Sequence, residues 1–226
     1  MTKGVFILAS VSFLSNAAQA QTPRLVRAVG EAAISVKPDL ARLNVGVVTQ
    51  ASTARDAAAQ NALQVEAVLA RLRQVLGPAA DLRTTSYSLT PNYKYTQGAP
   101  PTLIDYTASN NVEVNIGDLS LVGAVIDTAS QAGANSVGGL QFTVRDQEPV
   151  RQQVLGLAAK QGKAHAEAIA AGLGGHIGAI FAAAEGATVS PIGRADTPGA
   201  TAPTTPIETG LVQIRATVTI EAELLQ

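Results

Sequence analysis

The chain has 226 residues, and its 16 lysines and arginines against 17 aspartates and glutamates give a formal net charge of −1 at pH 7. Without a basic excess it cannot neutralise many phosphates, which argues against nucleic-acid binding and against strong attraction to an anionic lipid surface. It contains no cysteine, which excludes disulfides, thiolate metal sites and a lipidated cysteine. At 46% hydrophobic and 15% charged residues, the composition is typical of a globular protein.

The first twenty residues have the three parts of a secretory signal peptide. Lys3 supplies a positive charge, residues 5–14 are largely apolar, and Ala18-Gln19-Ala20 is a small-x-small cleavage site. The apolar run is too short for a transmembrane helix, which needs about 20 residues. We therefore expect cleavage after Ala20, no integral membrane insertion and a mature domain of residues 21–226. Export of a chain without cysteine indicates the periplasm of a bacterium.

The first elements of the mature chain are two predicted strands and a helix. Apolar and polar residues alternate over residues 25–36 and again over 43–49, and the Lys37-Pro38-Asp39 turn between them favours an antiparallel hairpin. Residues 53–76 carry apolar side chains at steps of three and four, with Gly77-Pro78 as the stop. The beginning of the chain thus predicts a hairpin followed by an amphipathic helix.

Strands and helices continue to alternate along the middle of the chain. Residues 82–95 are rich in Thr, Ser and Tyr, and residues 104–116 alternate strictly, so we expect two strands joined by a loop around 98–101. Residues 118–133 read as a short capped helix. Residues 140–144 predict another strand.

The last part of the chain predicts a long helix and two strands. Residues 149–172 form an Ala-rich helical pattern whose apolar stripe is interrupted by Gln161. Residues 176–184 favour a strand, 188–208 predict a mobile loop rich in Pro, Thr and Ala, and 212–224 alternate as a final strand. The whole order predicts an α+β fold of antiparallel strands packed under amphipathic helices.

Five short segments resemble the SIMPL-domain family of bacterial proteins. They occur in the order and spacing typical of that family: residues 30–39, 84–95, 106–110, 133–142 and 206–210. The chain departs from the family pattern at Asp105, where glycine is usual, and at Thr209, where proline is usual. The family includes periplasmic immunogenic proteins and oxidative-stress defence proteins. The resemblance implies an α+β periplasmic protein that forms a homo-oligomer and has no established catalytic residues.

No familiar arrangement of catalytic or metal-binding residues is found in the sequence. His165 and His176 are eleven residues apart, which does not match an i, i+4 metal pair, and no nucleophile elbow or phosphate loop is present. We therefore expect no enzyme activity, no cofactor and no metal ligands. The alternative is a hydrolase with an unrecognised site, built from the histidines and from scattered carboxylates at Asp39, Asp105, Glu113 and Asp118.

All four tyrosines of the chain fall in one pair of adjacent predicted strands. Tyr87, Tyr93, Tyr95 and Tyr106 either form a cross-strand aromatic cluster or contact a ligand or subunit. We take them as a candidate interaction surface. The sequence thus predicts a non-catalytic periplasmic protein that works by self-assembly or binding in envelope or oxidative-stress defence, and it names no small-molecule ligand.

Overall fold

The computed structural model describes residues 24–192 and 205–226 of the chain. These residues form antiparallel strands in two sheets, with helices packed on them, which confirms the predicted α+β fold. A three-residue 3-10 helix, Leu119–Leu121, precedes the second α-helix. The other elements are β1 (Leu25–Val36), β2 (Leu40–Ala51), α1 (Ala54–Leu76), β3 (Asp81–Lys94), β4 (Thr102–Ile116), α2 (Val122–Gln131), β5 (Ser136–Thr143), α3 (Glu148–Gly172), β6 (His176–Ile192) and β7 (Leu211–Leu225).

The first sheet has three strands in the order β1-β7-β6 and is covered by α3. β1 pairs with β7 along its whole length, from Leu25 opposite Glu223 to Val36 opposite Val212. The buried residues of α3 recur every four positions and are small, so that the helix axis lies close to the sheet. They are Val154, Ala158, Gly162, Ala166 and Ala170.

The second sheet has four strands in the order β3-β4-β2-β5, and α1 packs on its β2 and β4 strands. The side chains between α1, α2 and this sheet form the larger apolar core, which includes Leu43, Leu72, Val114, Ile116 and Val125. The opposite face of the sheet carries polar side chains that are exposed or half-buried. Thr53 caps α1 by accepting a hydrogen bond from the Asp56 backbone N–H, and Gly77 ends that helix with a φ of 85°.

The predicted hairpin of the first two strands is wrong. β1 pairs with β7, whereas β2 pairs with β4 and β5, so the Lys37-Pro38-Asp39 turn carries the chain from one sheet to the other. Asp39 fixes this crossover: its backbone N–H donates to the Thr143 carbonyl at 3.1 Å, and its carboxylate accepts from the Arg145 backbone N–H at 2.7 Å. Local alternation is the same in a hairpin and in a crossover, so it could not distinguish them.

The strand predicted over residues 176–184 is longer in the structure. β6 extends to Ile192, which lies opposite Leu211 of β7. The first five residues of the predicted 188–208 loop therefore belong to a strand. Proline is tolerated there because β6 is an edge strand. Residues 193–204 lie outside the described residues, as do the predicted signal peptide and its cleavage site.

Candidate interaction surface

The four tyrosines lie on the β3–β4 hairpin, which projects beyond the rest of its sheet. β2 accompanies β4 only as far as Ala51, opposite Tyr106. Beyond that point residues 102–105 of β4 pair with β3 alone. Among the described strands, the hairpin end is therefore a ribbon of two strands without a third.

The strand register places three of the four tyrosines on one face of this ribbon. Tyr106 lies opposite Pro91, and Tyr87 lies opposite Asn110, so both are on the face of the sheet that packs on α1. A register shift after Asn92 leaves Ile104 of β4 unpaired and places Tyr93 opposite Leu103. Because the extra residue is on β4, Tyr93 keeps the alternation of β3 and stays on the face of Tyr87 and Pro91. Tyr95 follows the end of β3. The sequence placed the tyrosines correctly in adjacent strands, but the shift could not be foreseen from the pattern.

Four large side chains at the end of the ribbon are exposed, and we call them the hairpin tip. The exposed fractions are 46% for Tyr93, 78% for Tyr95, 43% for Leu103 and 57% for Ile104. Tyr87 and Leu89 extend this apolar surface along β3. A small globular protein rarely leaves several large apolar side chains side by side in water, so such a patch is typical of an interaction site.

Polar side chains behind the hairpin tip hold the ribbon in shape. The Asn92 amide donates to the Asp105 carboxylate at 2.5 Å and to the Thr107 hydroxyl at 2.6 Å. Further along, the Asn111 amide donates to the Ser86 hydroxyl at 3.0 Å. Because these cross-strand bonds fix β3 against β4, the tip is presented on a preformed element.

The outer edge of β3 is the second feature of this surface. β3 is the terminal strand of the four-stranded sheet, and it pairs with β4 alone among the described strands. Its 14 residues carry outward-facing backbone groups of the kind that pair with another strand. The outer edge of β3 and the hairpin tip together form one continuous surface of the hairpin.

A charged cleft lies at the opposite end of the same two strands, and sequence reasoning missed it. Its volume is about 560 Å³, and it is bordered by the start of β3, the end of β4, the end of α1 and the segment after β5. Its charged residues come from separate parts of the chain, so no local motif marks them. They are Arg42, Asp81, Arg83, Glu113, Asp118 and Arg145.

Two carboxylates of this cleft already have partners within the protein. Arg83 donates to Asp81 at 2.8 and 3.2 Å, and the Asn115 amide donates to it at 3.0 Å. The hydrogen bonds from Arg83, above all, and from Asn115 lower the pKa of Asp81. The Ser120 hydroxyl and backbone N–H likewise lower the pKa of Asp118, which caps the 3-10 helix.

The histidines and carboxylates singled out from the sequence are not brought together. His165 contacts the Val29 carbonyl of β1 through Nδ1 at 2.7 Å, and His176 begins β6. Glu113 and Asp118 line the charged cleft, whereas Asp105 lies near the hairpin tip and Asp39 fixes the crossover. Among residues 24–192 and 205–226, no three such groups converge in an arrangement that could hold a metal ion.

None of the described helices combines the length and the apolar composition needed to cross a membrane.

Comparison with known proteins assigns the chain to a family. The SIMPL model, described as a protein of unknown function (DUF541), matches residues 26–222. The chain belongs to the SIMPL family. The resemblance seen in the five sequence segments is thereby confirmed, and the SIMPL match includes both the β3–β4 hairpin and the charged cleft.

Two relatives of this SIMPL chain carry a descriptive name. Both are called 26 kDa periplasmic immunogenic protein, one from Brucella melitensis and one from Brucella abortus. Each is 29% identical to this chain over an alignment 160 residues long that covers 67% of this chain. The match spans 64% of the length of each relative.

Proposed function

We propose that the protein works without catalysis in the bacterial periplasm and that it assembles with further copies of itself through the β3–β4 hairpin. The observation that carries this proposal is the hairpin tip, where four large side chains stand exposed on a ribbon that extends past its own sheet. The periplasmic location is supported by the names of the two Brucella relatives and by the signal-peptide pattern of residues 1–20.

The chemistry of the hairpin suits a contact between proteins. Tyrosine offers a large apolar ring with a hydroxyl that can remain hydrogen-bonded, and it is enriched at interfaces for that reason. Pairing at the β3 edge would add backbone hydrogen bonds to the burial of Tyr93 and Ile104. A second copy presents the same edge and the same tip, so one surface can supply both sides of a symmetric contact.

A role in envelope or oxidative-stress defence is part of the proposal, and it would be indirect. The chain has no cysteine, so it has no thiolate to reduce a peroxide or to form a mixed disulfide. Assembly, rather than redox chemistry, is the means by which such a protein could protect the envelope.

Light scattering of residues 21–226 over a range of protein concentrations tests the assembly. We expect a mass above that of the monomer, and we expect the double variant Tyr93→Ser/Ile104→Ser to shift it to the monomer. Leu63→Ser/Leu173→Ser is the matched control, because it removes two comparably exposed apolar side chains elsewhere on the surface. A monomer at every concentration, or equal effects of the two double variants, would contradict the proposal.

The non-catalytic part is tested separately with generic ester, phosphate and glycoside substrates. We expect no turnover above that of buffer by the wild-type protein. Turnover that is lost in the His165→Ala/His176→Ala double variant, while the fold is retained by circular dichroism, would support a hydrolase instead.

A further inference from the structure

We propose that the charged cleft binds a small zwitterion of the amino-acid or short-peptide class, with its carboxylate on Arg42 and Arg145 and its ammonium group on Glu113. This site is distant along the strands from the hairpin tip. Its test is therefore independent of the assembly proposed above.

The cleft contains both positive and negative side chains that form no ion pair within the described part of the protein. Arg83 is paired with Asp81, and Asp118 is bonded to Ser120. Within the described part of the chain, the side chains of Arg42 and Arg145 form no ion pair. The Glu113 carboxylate has one hydrogen bond, from the Asn115 amide at 3.4 Å. It lies opposite Arg83 in the strand register, but among the described residues the two form no ion pair.

The strand register places these groups on one face of the sheet. Arg42 of β2 lies directly opposite Asn115 of β4, and Glu113 is two residues from Asn115 on the same strand. Directly opposite side chains have Cβ atoms about 5 Å apart, and diagonal ones are about 7 Å apart. That spacing suits a small molecule whose carboxylate and ammonium groups lie a few ångströms apart, as they do in an amino acid or a dipeptide.

Arg145 reaches the cleft from another direction. Its backbone N–H is held by the Asp39 carboxylate at 2.7 Å, which fixes where its side chain begins. The guanidinium lies beside Gly117, where an added Cβ would be 2.9 Å from Nη2. Gly117 therefore leaves the room in which Arg145 turns toward the end of β4.

Beside the Arg83–Asp81 pair, the cleft holds two guanidinium groups and the carboxylates of Glu113 and Asp118, which favours a zwitterion over a simple anion or cation. Guanidinium binds carboxylate through paired, charge-assisted hydrogen bonds. A simple anion would meet the repulsion of Glu113, and a simple cation would meet that of the two arginines. The volume of about 560 Å³ lies in the range of small-molecule sites and accommodates a dipeptide.

Titration of the 15N-labelled mature protein with alanyl-alanine, followed by NMR, tests this site. We expect shifts of the backbone signals of residues 42, 113–118 and 145. N-acetyl-alanyl-alanine lacks the ammonium group, alanyl-alanine amide lacks the carboxylate, and both should bind about tenfold more weakly or not at all. Inorganic phosphate is the simple-anion probe and should bind more weakly than the dipeptide.

Matched variants locate the binding. Arg42→Gln, Arg145→Gln and Glu113→Gln should each weaken the binding of alanyl-alanine about tenfold. Arg73→Gln, an exposed arginine on α1 outside the cleft, should leave it unchanged. The proposal is overturned if the dipeptide produces no shifts, if phosphate or the blocked dipeptides bind as well as it does, or if Arg73→Gln has the same effect as the cleft variants.

Discussion

Gly30 of β1 and Gly162 of α3 meet backbone against backbone. A Cβ built on Gly30 would lie 2.2 Å from the Gly162 nitrogen and 2.0 Å from the Ala158 carbonyl oxygen. These distances are too short for any side chain, so the packing of α3 on its sheet depends on glycine at position 30. Gly30 is also the first residue of the segment that resembles the SIMPL signature, and this contact gives a physical reason for a glycine there.

Gly30→Ala should therefore lower the free energy of unfolding by about 3 kcal/mol or more, because helix and strand must move apart. Gly156→Ala is the control on the same helix. Position 156 is exposed and has open space for a Cβ, so this variant should stabilise the protein by about 1 kcal/mol through helix propensity. Urea unfolding measures both. Equal stabilities of Gly30→Ala and the wild type would show that the close contact is not needed.

Gln161 and His165 of α3 close the outer edge of β1. The Glu31 backbone N–H donates to the Gln161 side-chain oxygen at 2.6 Å, and His165 Nδ1 contacts the Val29 carbonyl at 2.7 Å. Gln161→Leu should destabilise the protein by about 1 kcal/mol and should speed hydrogen exchange of the Glu31 amide. Exchange at β1 amides that bond to β7 should change much less. An unchanged exchange rate at Glu31 would contradict this role.

Asn61 joins α1 to two strands inside the larger core. It is 1% exposed, and its amide donates to the Val47 carbonyl at 2.9 Å and to the Ala108 carbonyl at 3.2 Å. Asn61→Ala should cost about 2 kcal/mol, because two buried carbonyls lose a donor and a cavity is left. The neighbouring exposed Gln60→Ala is the control and should change stability little. Thermal unfolding measures the stability of both variants. Equal stabilities of Asn61→Ala and Gln60→Ala would contradict the stabilising role of the buried amide.

Asp81 makes the free energy of unfolding depend on pH in the acid range. Its pKa is lowered in the folded protein from the ordinary value of 3.8, chiefly by the hydrogen bond from Arg83. The unfolded chain therefore binds the proton more readily. The stabilisation by Asp81 is present above about pH 4 and is lost as the pH falls through the lowered folded pKa.

Asp81→Asn should consequently show a smaller loss of unfolding free energy on acidification than the wild type. Denaturant unfolding at a series of pH values from about 6 to about 3 measures the difference. An identical pH dependence of the two proteins would mean that the ion pair with Arg83 does not hold the carboxylate charged.

The elements could be predicted from the sequence where periodicity is strong, and the contacts between them could not. The alternation in β4 and the three-and-four spacing in α1 identified both elements. The pairing of β1 with β7 joins residues almost 200 positions apart and leaves no local trace. Gln161 looked like an interruption of an apolar stripe, and only the position of β1 shows that its polar group has a partner.

In the candidate sites, too, residues close together in the sequence could be predicted and contacts created by the fold could not. The tyrosines were found because they are close together in the sequence, on two strands joined by a short loop. Arg42, Arg83 and Arg145 belong to β2, to β3 and to the segment after β5, and they meet because β3 pairs with β4 while β4 and β5 both pair with β2. A register shift in the hairpin decides which residue of β4 lies opposite Tyr93, and neither composition nor alternation predicts that shift.

Assembly through the β3–β4 hairpin can be measured directly because the chain has no cysteine of its own. Thr96→Cys places a single thiol beside the hairpin tip, and Gln60→Cys places one on the exposed side of α1. The rate of modification by a thiol reagent is compared in dilute and in concentrated mature protein. Protection of Thr96→Cys alone at high concentration is the result that self-assembly predicts, and equal rates for Thr96→Cys at both concentrations would contradict it.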